Sequence, residues 1–317
     1  MFGVSQIAGG LMMFGIGQAD TKIASWRILF IICGAMTVAA GIIFMVLMPR
    51  NTNTAWFLNE REREVATQRL AVDRVTRDKT NWDNAQFKEA MTDPRTVLYA
   101  LMALFITIPT PISKFSSLVI HGFGFNNFST MLVGLPSGAV SLIFVWVGAL
   151  GPALFPNMRC VIGVFVTSIP LMGTLLLLLL PASNAWGIVV STWFASSSTP
   201  SFSVAMGLMA SNVKGNTKKS VVSAIFFIFY TVGSVVGPQL WQKQDAPRYK
   251  KGCYASIISW SCLIVSFMVY YVTAKRSNRK REALVGNMFQ EIDGVQLGIS
   301  VDSNHTEKED KMFRYSY

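Results

Sequence analysis

Charge is what this chain has least of. Asp, Glu, Lys and Arg make up 14 % of its 317 residues, against about 25 % in an average soluble domain. Hydrophobic residues reach 51 %, and Phe alone occurs 22 times. So little charge cannot cover a water-facing surface, and so much apolar content excludes intrinsic disorder. Histidine is nearly absent: His121 and His305 are too far apart in sequence to suggest a metal site. The four cysteines, Cys33, Cys160, Cys253 and Cys262, form no CxxC pair, and each lies in or beside an apolar run, so they read as small packing residues. No Ser-His-Asp set, HExxH, P-loop or Rossmann glycine pattern occurs, so neither an enzyme nor a cofactor is expected.

What is present is a series of long apolar runs. Eight are legible, at about 1–17, 27–48, 97–113, 129–149, 160–180, 185–209, 220–240 and 253–274. Near 20 apolar residues span a bilayer, and without water to satisfy the backbone they must be helical. The class is an all-α multi-pass membrane protein. The net charge of +11 then reads as topology, and no nucleic-acid partner is expected. One side collects 21 Lys and Arg and the other 7, which places the 49–96 loop and the C-terminus in the cytoplasm. The plasma membrane is the expected location.

The 49–96 loop balances nine basic against eight acidic residues. Asn59 with Glu62 has capping-box spacing, so a helix is expected over 60–72. A second is expected over 83–91, with Phe87 facing inward. Asp93-Pro94 caps and opens the next span. The tail from 275 starts with Lys275, Arg276, Arg279, Lys280 and Arg281, a positive-inside anchor or an anionic-lipid contact. Beyond Gly286 disorder is expected.

No predicted span carries an acid or base near its centre, which argues against a proton-relay residue within these spans. The candidate substrate-binding residues are therefore the hydroxyls and aromatics inside spans: Thr107, Ser113 and Ser116 around Pro109 and Pro111; Trp193 and Ser197 before Pro200; Phe227 and Tyr230. The blander alternatives are hydroxyl repair of proline-broken helices and ordinary helix packing. Gly134-x-x-x-Gly138 and Gly233-x-x-x-Gly237 permit close helix approach.

Several motifs are specific. Asn212-Val213-Lys214-Gly215-Asn216-Thr217-Lys218-Lys219-Ser220, Phe226-Phe227-Ile228-Phe229-Tyr230, Gly237-Pro238-Gln239 and Ala246-Pro247-Arg248-Tyr249 occur in order, after Ser25-Trp26-Arg27, Asp93-Pro94-Arg95 and the 115–125 stretch. Together they resemble fungal allantoate-permease-like transporters, in the anion:cation symporter branch of the major facilitator superfamily. The resemblance implies a major facilitator fold whose helices 5–12 match the runs here, the first four being absent. It implies proton-coupled alternating access for small organic anions, carboxylates such as allantoate, nicotinate or pantothenate. A non-transporting truncated remnant is the alternative. The family's acid in the loop between helices eight and nine is missing before Arg159. The expected organisation is 1–48 as a remnant of the N-terminal half, 49–96 as the inter-half loop, 97–274 as the C-terminal six-helix half and 275–317 as a tail.

Overall fold

The computed structural model describes residues 2–17, 24–50, 54–75, 82–113, 120, 127–155, 157–181, 183–242, 249–291, 305–310 and 313–317. The described residues contain helices and no strand. In chain order these are α1 (Phe2–Gly17), α2 (Ser25–Leu47), α3 (Glu60–Val75), α4 (Asn84–Thr92), α5 (Pro94–Thr107), α6 (Asn127–Gly134), α7 (Pro136–Leu154), α8 (Arg159–Leu179), α9 (Ala185–Ala195), α10 (Thr199–Asn212), α11 (Asn216–Gln239) and α12 (Lys250–Glu291). Among the described residues six segments are long and apolar enough to cross a membrane: 25–47, 94–113, 129–154, 159–179, 216–239 and 250–283. Two expected spans differ. The first is the shorter α1, and the 185–209 run is divided into α9 and α10 by a break at Ser196-Ser197-Ser198.

The chain forms two compact units. One comprises 12–82 and 296–304. Within it, α2 buries none of its side chains. Its apolar residues are spread around the whole helix, as on a helix surrounded by lipid. Glu62 Oε2 accepts from Asn59 N at 3.0 Å, the reaching-back half of the expected capping box. The helix over 60–72 is observed as α3.

The other unit comprises 1–11, 83–295 and 305–317. Here α5 packs on α11 and α12, and α8 packs on α9, α10 and α12; α7 packs on α8, α9 and α10. The core between them holds Tyr99, Met102, Ile106, Leu208, Phe226, Trp260, Phe267 and Tyr270. Tyr99 donates to or accepts from Tyr270 through their hydroxyls at 2.8 Å, which satisfies two polar atoms the core would otherwise strand. Asp83 caps α4 through Ala85 N at 2.8 Å, and Asp93 caps α5 through Arg95 N at 3.0 Å. Phe87 departs from expectation. It is exposed, and Gln86 and Ala90 form the buried face of α4, because the Gln86 carboxamide is needed at the start of α11. Of the tail expected to be disordered beyond Gly286, 292–304 and 311–312 lie outside the described residues, and the described parts are ordered. α12 continues to Glu291, and 305–310 and 313–317 pack back against the unit.

Prolines end α5 early, and its hydroxyls repair the damage. Thr110 Oγ1 donates to Thr107 O at 2.6 Å, and Ser113 Oγ donates to Thr110 O at 2.8 Å. The same stretch is where α11 comes closest. A Cβ on Gly233 would lie 2.1 Å from Thr107 Oγ1 and 2.7 Å from Leu104 O, and one on Gly237 would lie 2.7 Å from Ile108 O. The second glycine pair thus acts as a close-packing face, whereas Gly134 has open space and only Gly138 of the first pair is crowded, against Gly3 and Ile7. Gly233→Ala is expected to cost about 1–3 kcal/mol through overpacking against backbone. Gly207→Ala, where nothing lies within 4 Å, should be neutral. Thermal unfolding of the two variants in detergent micelles reads the difference.

Candidate functional site

The candidate residues inside the spans divide by what their polar atoms already do. Thr107 is fully buried and donates back to Ala103 O at 3.0 Å and to Leu104 O at 3.1 Å. Trp193 Nε1 donates to Val133 O at 2.8 Å, tying α9 to α6. Ser113 is exposed and repairs Thr110 O. These three donors are engaged in holding helices. Ser116 lies outside the described residues. Ser197 is different: it sits in the break between α9 and α10, it is 1 % exposed, and its Oγ has no hydrogen-bond partner among the described residues.

Phe227 and Tyr230 stand one helical turn apart on α11 with ring centroids 6.3 Å apart, and Phe202 of α10 meets Tyr230 at 5.4 Å. Phe226, beside them, is fully buried in the core, while Phe227 is 46 % exposed. Tyr230 is half-buried, and its hydroxyl makes no hydrogen bond among the described residues. The structure thus brings Phe227 and Tyr230 together on α11. Trp193 and Ser197 belong to α9 and its break, and α9 packs on α7 and α8.

A second constellation was not legible in the sequence. At the end of the bundle where α4 meets α5 and α11 begins, Lys218 is 1 % exposed. Its Nζ donates to Glu89 Oε1 at 2.8 Å, to Asp93 Oδ2 at 2.9 Å and to the Glu307 carboxylate. Lys308 reaches Asp93 Oδ2 at 3.2 Å. The three acids converge with ligand atoms within 4.8 Å of one another, a spacing that suits a cation, and the Lys218 ammonium supplies that charge. The start of α11 is capped from outside the helix. Gln86 Oε1 accepts from Thr217 N at 3.1 Å and Lys218 N at 3.3 Å, and Glu307 Oε2 accepts from Lys214 N at 3.2 Å. Gly215 makes the approach possible: its φ is +85°, and a Cβ there would lie 2.7 Å from Gln86 Oε1.

The returning C-terminus locks onto the same end. Asn278 and Asn212 each pair through their side-chain amides with one tail residue. Asn278 exchanges hydrogen bonds with Tyr315 at 2.8 and 2.9 Å, and Asn212 does so with Ser316 at 2.9 and 2.7 Å. Arg159 N donates to Tyr317 O at 2.9 Å. The Arg159 guanidinium donates to Gly207 O at 3.0 Å and to Ser211. No local signal could have revealed the cluster, since its partners lie 89 to 129 residues from Lys218.

The model of the Major Facilitator Superfamily matches residues 1–238. The chain belongs to the Major Facilitator Superfamily. An uncharacterized transporter of Schizosaccharomyces pombe is 33 % identical over 99 % of this chain and 60 % of its own length. The thiamine pathway transporter of Saccharomyces cerevisiae is 27 % identical over 99 % of the chain and 59 % of its own length. The allantoate permease of the same yeast is 26 % identical over 100 % of the chain and 60 % of its own length. The chain therefore spans about 60 % of the length of these relatives. No solved structure matches it. As a member of a transporter family it is not an enzyme.

Burial alone would raise the Asp93 carboxyl, but the hydrogen bond and charge of Lys218, the Arg95 N–H and Lys308 together hold it below its ordinary value of 3.8. A depressed folded value stabilises the cluster above the unfolded value and loses that contribution as pH falls through the folded one. The tail should therefore stay protected from limited proteolysis from neutral pH down to about pH 5, and open only in stronger acid. Lys218→Met takes the shared ammonium from three carboxylates and leaves only Asp93 with a cation, Lys308. It is expected to destabilise by about 3–5 kcal/mol and to expose 305–317 to protease at neutral pH.

Proposed function

We propose that this chain supplies the C-terminal half, and part of the N-terminal half, of a proton-coupled symporter for small organic anions working by alternating access. Residues 97–274 form the C-terminal half, 1–48 belong to the other half and 49–96 join them. The helix ends around Lys218 and the tail face the cytoplasm of a plasma-membrane protein. The similarity to the allantoate permease over the whole chain supports a carboxylate as cargo.

The observation that carries the reading is the buried Ser197 hydroxyl, without a partner among the described residues and set in a helix break within an apolar span. An orphaned polar atom in such a place costs free energy unless something comes to it. A break in a membrane helix is tolerated where it faces protein or a water-filled cavity. Of the candidate residues, Ser197 and Tyr230 are the donors left free among the described residues for a carboxylate, and Phe227 is the apolar surface beside Tyr230. Thr107 and Ser113 bond within the α5 segment, Trp193 ties α9 to α6, and Ser116 stays a candidate by its place in the sequence.

Uptake of radiolabelled allantoate and related carboxylates, in yeast cells lacking their own permeases, tests the proposal. Each variant is made in the chain joined to the four preceding helices of a relative, alongside the chain by itself. One lost hydrogen bond to a charged group is expected to raise KM about tenfold or more in Ser197→Ala and in Tyr230→Phe. Surface expression should be unchanged. Uptake that is proton-dependent yet indifferent to both substitutions would remove these residues from the site, and an absence of carboxylate uptake in every form would remove the cargo class.

A further inference from the structure

At the same end as the Lys218 cluster, an open groove of about 480 Å³ lies between the start of α5, the extension of α12 and the returning tail. Arg95, Lys280, Arg281 and Lys308 line it, and Asp93 is the one acid in the lining. That acid is already shared by Lys218 and Lys308, so the groove keeps a surplus of positive charge. Arg95 is held in place, stacked 3.6 Å over the Tyr315 ring and donating from Nη2 to Ser277 Oγ at 2.6 Å. Arg281 is held by the tail carbonyls of Glu307 and Phe313, at 2.6 and 2.7 Å; these satisfy its N–H groups without neutralising its charge. Lys280 is exposed and has no ion pair or hydrogen bond among the described residues. The groove lies where the apolar stretch of α12 gives way to the basic run that opens at Lys275.

We propose that this groove binds a phosphate-bearing anion, either the headgroup of a phosphorylated lipid or a soluble phosphate ester. A phosphate monoester carries nearly two charges and three acceptor oxygens, which matches several cations converging from different elements better than one carboxylate would. The returning tail makes this more than a basic patch: it supplies Lys308, positions Arg95 through Tyr315 and orients Arg281. Arg276 and Arg279 belong to the same basic run but lie outside the groove, and they separate a built site from general attraction to an anionic surface. The inference does not depend on which cargo is transported.

The test uses the full chain in phosphatidylcholine nanodiscs. Native mass spectrometry measures retained phosphatidylinositol bisphosphate against phosphatidylserine, and a filter assay measures radiolabelled inositol trisphosphate with inorganic phosphate as competitor. The bisphosphate lipid should be retained preferentially. Lys280→Gln and Lys308→Gln should each weaken its binding about tenfold, the loss of one charge-assisted contact, while Arg279→Gln and Lys250→Gln, the latter at the far end of α12, change it little. Preferential binding of inositol trisphosphate with the same dependence on Lys280, but no preferential lipid retention, assigns the site to a soluble phosphate. Equal losses in Arg279→Gln and Lys280→Gln, equal retention of phosphatidylserine, or binding of none of the probes overturns the proposal. Unchanged thermal unfolding of Lys280→Gln, an exposed position, shows that any loss is not a folding defect.

Discussion

In hydrocarbon a backbone N–H or C=O has no water to fall back on, and each one left unpaired costs several kcal/mol. That constraint organises the molecule. It makes every apolar run a helix. It also explains why each interruption is lined with hydroxyls: Thr110 and Ser113 where Pro109 and Pro111 end α5, and Ser196, whose Oγ donates to Thr192 O at 2.7 Å, where α9 stops. Ser197 stands out because it lies in the same break and repairs nothing.

The same aversion drives charge to the helix ends, where it does structural work. Lys218 sits in the first turn of α11, a position a helix dipole disfavours for a cation. It is held there by Glu89, Asp93 and Glu307, acids drawn from α4, from the α5 cap and from the tail. An arrangement of this kind ties three pieces of chain together at the edge of the apolar core. It stabilises as a set, because removing its central cation leaves the acids crowded together with only Lys308 at Asp93. The cationic groove is built on its flank, with Asp93 and Lys308 belonging to both.

The glycine and aromatic features of α11 share this economy. Gly233 and Gly237 let α11 lie directly on the proline-broken end of α5, so that two helices with little polar surface can meet through backbone contact. Phe226 on the same helix is in the core while Phe227 is largely exposed and Tyr230 is half-buried. A one-residue step along a helix turns a side chain by about a quarter turn or more, so neighbouring aromatics receive opposite roles.

By itself the sequence determined the all-α membrane class, the apolar runs, the capping at Asn59 and Asp93, and the use of hydroxyls near prolines. These depend on composition and on residues within a turn of one another. The motifs from Asn212 to Tyr249 pointed to the right superfamily for the same reason, being contiguous. Only the tertiary structure decided that Gln86 rather than Phe87 faces inward, that Thr107 and Trp193 are occupied while Ser197 is not, and that the polar tail returns. Gln86, Trp193 and the tail owe those outcomes to partners far away in the chain, whereas Thr107 bonds within its own helix turn. Lys218 reads in sequence as one more topology charge, and becomes the centre of a buried cluster because folding brings Glu89, Asp93 and Glu307 to it.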